Sequence, residues 1–268
     1  MSKSLTRDMT SGSPTKLLLK FTLPMLIGNL FQQFYNMVDS IVVGQFVGKD
    51  ALAAIGATSS SVFLIFGLTF GLSAGISIVI SHYFGAGDYE NVRKSFATAT
   101  YIIFIASIIM GVVGFFTTRP LLELLGTDVA IIDQSETYMK ITFAGILGTA
   151  AYNGISGVLR ALGDSITPLI FLIIASILNV VLDLVFVIVF QWGIPGVAIA
   201  TIISQVLSGV ACTIYALKKV KILRMSVKEF KPDKEIAKKC IRLGIPVALQ
   251  NSFVSISMLA LQSVINSF

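Results

Sequence analysis

The sequence predicts an all-α polytopic membrane protein: a six-helix bundle followed by a seventh helix. Two bulk observations and one pattern point there. Of 268 residues, 55% are hydrophobic and only 13% charged, and the mean hydropathy is +0.87. A soluble domain carries roughly 25% charged residues and has nowhere to hide this much apolar surface. Several stretches exceed the roughly 18 nearly uncharged residues expected of a membrane-crossing helix. Finally, "KFTLPMLIGNLFQ" (20–32) and "RLGIPVALQNSFV" (242–254) align with Pro24 and Pro246 in register, 222 residues apart (246 − 24). Six spans and a linker fit in that interval. Such weak internal symmetry marks transporters built from repeated bundles; a proline shared by chance is the alternative.

The spans are predicted at 16–44, 51–84, 92–118, 137–159, 165–190 and 194–217, with a seventh from about 240 to the end. Span one follows Lys16 and Lys20 and contains Pro24, which removes a helix hydrogen bond and predicts a hinge. "VGKDA" ends it. Span two carries Gly67, Gly71 and Gly75 at intervals of four, a face that lets another helix approach closely. The single histidine, His82, falls near its end and reads as interfacial. "FGAGDYENVRKS" and "TRPLLELLGTD" bracket span three, and "RALGDSITP" closes span four. Span five ends at "QWGIPG", and span six runs into "LKKVKILRMSVKEFKPDKEIAKKC". The domain reading is an N-terminal segment 1–14, a six-helix lobe 15–217, a basic linker 218–239, and 240–268 as the first helix of a second, incomplete unit. Cys212 and Cys240 lack metal or redox spacing and read as structural. The start has no small-residue cleavage site behind a short apolar core, so span one is expected to be the anchor. The 19 phenylalanines read as mostly lipid-facing bulk, with no aromatic box to claim from their number.

Orientation follows from the basic residues. Lys3, Arg7, Lys16 and Lys20 precede span one, Arg93 and Lys94 follow span two, and Arg160 follows span four. Ten of the 20 Lys and Arg lie between 218 and 242. The alternate loops hold only Lys49 and Arg119, with Lys140 near the start of span four. The positive-inside rule therefore predicts a cytoplasmic N-terminus and linker in a cell (plasma) membrane. Topology and anionic lipid account for the basic excess, with no call for nucleic acid.

Asp39, in "FYNMVDSIVVG", and Asp183, in "LNVVLDLVFV", are the acids set well inside spans. An ionised side chain at bilayer depth costs at least ~2.5–3.5 kcal/mol, so such groups usually face a wet interior and mark an ion path. Asn179 and Asp183 are four apart and share a helix face, with Ser176 one turn earlier. The competing reading is a protonated carboxyl locked to a neighbouring helix for packing. Nothing resembles a metal-ligand cluster or a nucleophile–base pair, so an enzyme is not expected.

Four strings, "LPMLIGNLFQQFYNMVDSIVVGQFVGKDALAAIG", "GVLRALGDSITPL", "LNVVLDLVFV" and "WGIPGVAIATIISQ", resemble the MATE (multidrug and toxic compound extrusion) transporters, over essentially residues 15 to 268. The resemblance implies a twelve-helix transporter of two six-helix lobes, of which this is the N-terminal one. It implies export of organic cations and other drug-like molecules by antiport with Na⁺ or H⁺, with no other cofactor. Carried over from the DinF-like branch, the cation or proton site would be Asp39, Asn179, Asp183 and Thr201. Tyr35 and Asn153 would face the substrate cavity, and Pro24 would hinge the first helix. The implied partners are small molecules, membrane lipids and the second lobe, without which transport by this chain alone is not expected. A flippase for pyrophosphate-linked lipids is the rival reading. It would call for Lys or Arg lining the cavity, and only Lys140 comes near the interior of a span.

Overall fold

A computed structural model describes residues 12–226 and 228–265. Lys3, Arg7 and Phe268 lie outside the described residues, as does most of the N-terminal segment. Eight α-helices occur among the described residues, one more than expected: α1 (Pro14–Val42), α2 (Lys49–Gly85), α3 (Tyr89–Leu124), α4 (Ile132–Ala144), α5 (Ile146–Ala161), α6 (Ile166–Leu184), α7 (Ile194–Lys219) and α8 (Lys234–Ile265).

Span four supplies the extra helix. It is two helices meeting at Gly145, which is in neither. A Cβ on Gly145 would run into the Ile202 side chain of α7, so the break lies where the chain presses closest to its neighbour. Hydropathy runs smoothly across such a local bend and cannot register it.

Two boundaries also move. Helix α3 continues through Pro120 to Leu124, where the sequence reading stopped at 118. Its last turn buries Leu122 and is closed by Gly126 at φ 66°, whose N–H donates to Glu123 O, while Thr127 N–H donates to Leu122 O. Helix α8 begins at Lys234 rather than near 240. Asp233 accepts a hydrogen bond from Ile236 N (2.9 Å) and caps its first turn.

The two ends of the bundle differ. At one, the turns α1–α2, α3–α4 and α6–α7 meet around a small core of Val42, Val43, Ala51, Ala54, Val187, Ile194 and Val197. At the other, the α2–α3 and α5–α6 turns gather with the α7–α8 linker. That linker is not loose chain. Val220, Leu223 and Ile236 are buried in the largest core cluster, Arg93 donates to Ile222 O (3.2 Å), and Asp233 N donates to Thr98 Oγ1 (2.9 Å).

Inside the bundle α2 packs against α3, α4, α5 and α8, while α1 packs on α6 and α7 on both α5 and α6. Among the described residues four helices are long and apolar enough to cross a membrane: 49–85, 89–124, 166–189 and 194–219. Helix α1, at 29 residues, is also long but carries Gln32, Gln33, Asn36 and Asp39. The outer surface is apolar. Phe104, Ile105, Ile108, Ile109, Val112 and Phe116 of α3 all stand exposed, a contiguous patch that a soluble monomer does not carry.

Candidate functional site

Helices α1 and α6 each end in a π-helical turn, residues 43–47 and 185–189. The two acids singled out by the sequence lie just before these turns. A π turn widens the helix and redirects the side chains next to it, which is why such turns recur at functional sites. Because α1 packs on α6, Asp39 and Asp183 come close enough for one amide to reach both, although 144 residues separate them (183 − 39).

Asn179, one turn before Asp183, holds the pair. Its neighbours fix the amide orientation: the NH₂ donates to Asp39 Oδ1 (2.8 Å) and Asp183 Oδ2 (3.0 Å), and the carbonyl accepts from Thr201 Oγ1 (3.3 Å) and Thr201 N (3.2 Å). Tyr35 completes the chain by donating its hydroxyl to Thr201 Oγ1 (3.2 Å). Asn179 and Asp183 are fully buried, and Asp183 Oδ1 has no hydrogen-bond partner. The structure thus joins Asp39, Asn179, Asp183, Thr201 and Tyr35 in one network spanning three helices.

Asp39, Tyr35 and Thr201 face a cavity of about 410 Å³. Helix α2 contributes Phe63, Phe66 and Phe70 to its wall, with the Phe70 ring centroid 6.4 Å from that of Phe63 and 6.2 Å from that of Phe66. Reading the phenylalanines as mostly lipid-facing bulk missed this wall. The spacing of three and four residues carried the signal, but so many phenylalanines in the chain masked it. Tyr138 and Thr142 of α4, Thr149 of α5, and Gln32 and Gln205 also line the space and were not anticipated. No Lys or Arg lines it.

Asn153 is not among the residues lining this cavity; its side-chain NH₂ donates to Thr149 O (2.8 Å), one turn back on its own helix, and Thr149 lines the cavity. Pro24 lies inside α1, four residues before Gly28, which is packed against Leu169 and Leu172 of α6. The segment beyond that contact carries the site residues. Lys140 pairs with Glu136 (2.6 Å) at the turn end of the bundle, away from the cavity.

The fold has counterparts in proteins of known sequence and structure. The sequence profile of the MatE family matches residues 24–185. The chain belongs to the MatE family. Its members are transporters rather than enzymes. It is 36% identical over 261 residues to the probable multidrug resistance protein YpnP of Bacillus subtilis (strain 168), covering 97% of this chain and 58% of that protein. It is 26% identical over 252 residues to the multidrug export protein MepA of Staphylococcus saprophyticus (strain ATCC 15305), covering 93% and 55%. The outward-facing structure of a multidrug resistance MATE family transporter superposes with a TM-score of 0.82 at 29% identity, over 96% of this chain and 57% of that one. The chain therefore spans a little over half the length of these relatives. It is an all-helical, multi-pass membrane protein of MATE fold.

Proposed function

We propose that this chain is the N-terminal lobe of a multidrug efflux transporter that exports organic cations and similar drug-like molecules in exchange for Na⁺ or H⁺. The observation that carries the reading is the cavity itself. Asp39 of the carboxylate network and three phenylalanines of α2 line it together. Its volume falls within the roughly 300–1,000 Å³ usual for small-molecule sites. A flat, positively charged organic molecule finds attraction to the ring faces and to Asp39 in one place. The relatives' names, multidrug resistance and multidrug export, support it. A lipid-pyrophosphate flippase would need cationic side chains here, and the cavity lining offers none.

Coupling follows from the carboxylates. Two of them sharing one amide donor, with no basic group beside them, repel unless one carries a proton or a cation sits between them. Asp39, Asp183, the Asn179 carbonyl and the Thr201 hydroxyl are the hard oxygen ligands that Na⁺ favours. An organic cation and the coupling ion then compete for the same negative charge. If each also prefers a different bend of α1 about Pro24, the ion gradient drives export, at about 1.4 kcal/mol per ion for each tenfold difference. The Asp–Asn–Asp–Thr set is that of the DinF-like branch.

In the membrane we count α4 and α5 as one crossing. Helices α1 to α7 then form a six-span lobe, and α8 opens the second, which the longer relatives would supply. The linker end is cytoplasmic in the plasma membrane, where its basic residues meet anionic lipid. A cysteine replacing the exposed Ser226 should resist an impermeant thiol reagent added to whole cells and react once the cells are opened. Prompt labelling from outside would reverse the topology. Transport itself is tested by efflux of a fluorescent organic cation from vesicles holding the complete transporter. Efflux should require an imposed Na⁺ or H⁺ gradient and stop when an ionophore collapses it; efflux indifferent to both gradients would refute the antiport.

A further inference from the structure

Beside the cavity α1, α6 and α7 leave a partly open crevice too narrow for a water molecule, displaced from the carboxylates toward the linker end. Six of its eight lining residues carry polar side chains: Gln32, Tyr35, Ser176, Asn179, Ser204 and Gln205. Three of these, Gln32, Tyr35 and Gln205, also line the open cavity, so they form the partition between the two spaces.

The polarity of this pocket is one-sided. Ser176 donates its hydroxyl proton to Leu172 O (2.9 Å), and Ser204 donates its own to Ala200 O (2.7 Å). The Tyr35 proton goes to Thr201, and the Asn179 NH₂ to the two carboxylates. What each of these groups has left is lone pairs. Gln205 is 9% exposed, and its Oε1 is buried without a hydrogen-bond partner. Apart from the two glutamine NH₂ groups, the pocket presents acceptors alone. A buried cluster of neutral oxygens suits a small hard cation.

We infer that Gln205, Gln32, Ser176 and Ser204 form a second, uncharged station for Na⁺, on the cytoplasmic side of the carboxylate site. This rests on the proposed Na⁺ coupling at Asp39 and Asp183. A site with two carboxylates holds a cation strongly, and conduction needs a neighbouring site weak enough to release it. Gln205 is one turn along α7 from Thr201, so an ion leaving the carboxylates meets its carbonyl next. Ser208, three residues further, continues the same face and donates to Phe171 O (2.7 Å).

The test is equilibrium binding of radioactive ²²Na⁺ to the purified protein in detergent, comparing the parent with Gln205→Leu, Gln205→Glu and Asp39→Asn. Loss of one neutral ligand in Gln205→Leu should weaken binding about threefold to tenfold. Gln205→Glu keeps the shape and adds charge, so it should strengthen binding and make it pH-dependent. Asp39→Asn should weaken binding more than Gln205→Leu does, which tests the carboxylate site separately. Parent-like Na⁺ affinity in both Gln205 variants, beside a loss in Asp39→Asn, would overturn the second station and leave the carboxylate reading intact. Failure of the parent to bind Na⁺ would also overturn it, leaving the carboxylates as a proton site.

Discussion

Replacing Asp183 by asparagine is expected to reduce ion-driven efflux to background in the complete transporter while folded protein stays at or above the parent level. Asp183 is fully buried and shares the Asn179 NH₂ with a second carboxylate, and its Oδ1 lacks a partner. An amide keeps the volume, removes the charge and offers an N–H to Asp39. Burying it costs less than burying a carboxylate. Stability should therefore hold while the group that exchanges a proton or Na⁺ is gone. Asp39→Asn should act alike, because the two acids form one network through Asn179. Thr201→Ala removes one hydroxyl, worth about 0.5–1.5 kcal/mol, and should slow transport without stopping it. If the acids served packing alone, activity would fall only in step with folded protein. The measurement is efflux of a fluorescent organic cation from energised vesicles, normalised to monodisperse transporter. Normal exchange by both Asp→Asn variants would sink the claim that this cluster carries the coupling ion.

The acids were legible because a charge in an apolar run is conspicuous whatever the fold. The four-residue step from Asn179 to Asp183 also put them on one helix face without any tertiary knowledge. The convergence with Asp39 was not legible from spacing. It depends on α1 packing on α6, and only the family resemblance anticipated it. Gln32, Gln205 and Tyr138 stayed hidden because a neutral polar residue in a span is unremarkable until its neighbours are known. Asn153 was carried over by resemblance, and its NH₂ is spent on the Thr149 backbone carbonyl. Helix α8 shows a different failure. Its first turns, "KEIAKK", are polar, so hydropathy placed the start near 240. The cap was in plain view, since "PDKEI" sets Asp233 three residues before Ile236. The break at Gly145 had no such local mark. Its partner, Ile202, lies on α7, 57 residues away (202 − 145).

Gly71→Leu is expected to cost the protein much of its stability, whereas Gly67→Ala should be close to neutral. In the sequence the two positions are equivalent members of one stripe with Gly75. In the structure they differ. A Cβ on Gly67 would sit 3.6 Å from the Asn251 Cβ, an ordinary contact, but one on Gly71 would fall on the backbone of Ala248. On Gly75 it would meet Gly244 N at 2.5 Å. Backbone cannot step aside as a flexible side chain can, so α2 and α8 would have to part along the seam, losing the close approach that holds helices together in lipid. Overpacking of this kind typically costs about 1–3 kcal/mol, and more where backbone is struck. Thermal unfolding of the detergent-purified protein, followed by loss of the monodisperse peak, should rank parent and Gly67→Ala together, with Gly71→Ala below them and Gly71→Leu lowest. Equal loss at 67 and 71 would mean that the stripe acts as a uniform small-residue face. Tolerance of leucine at 71 would mean that α8 does not lie against α2 at this register. The second outcome matters for mechanism as well as for packing. Helix α8 follows the linker, and the seam at Gly71 and Gly75 ties its first half to the lobe that holds the carboxylates.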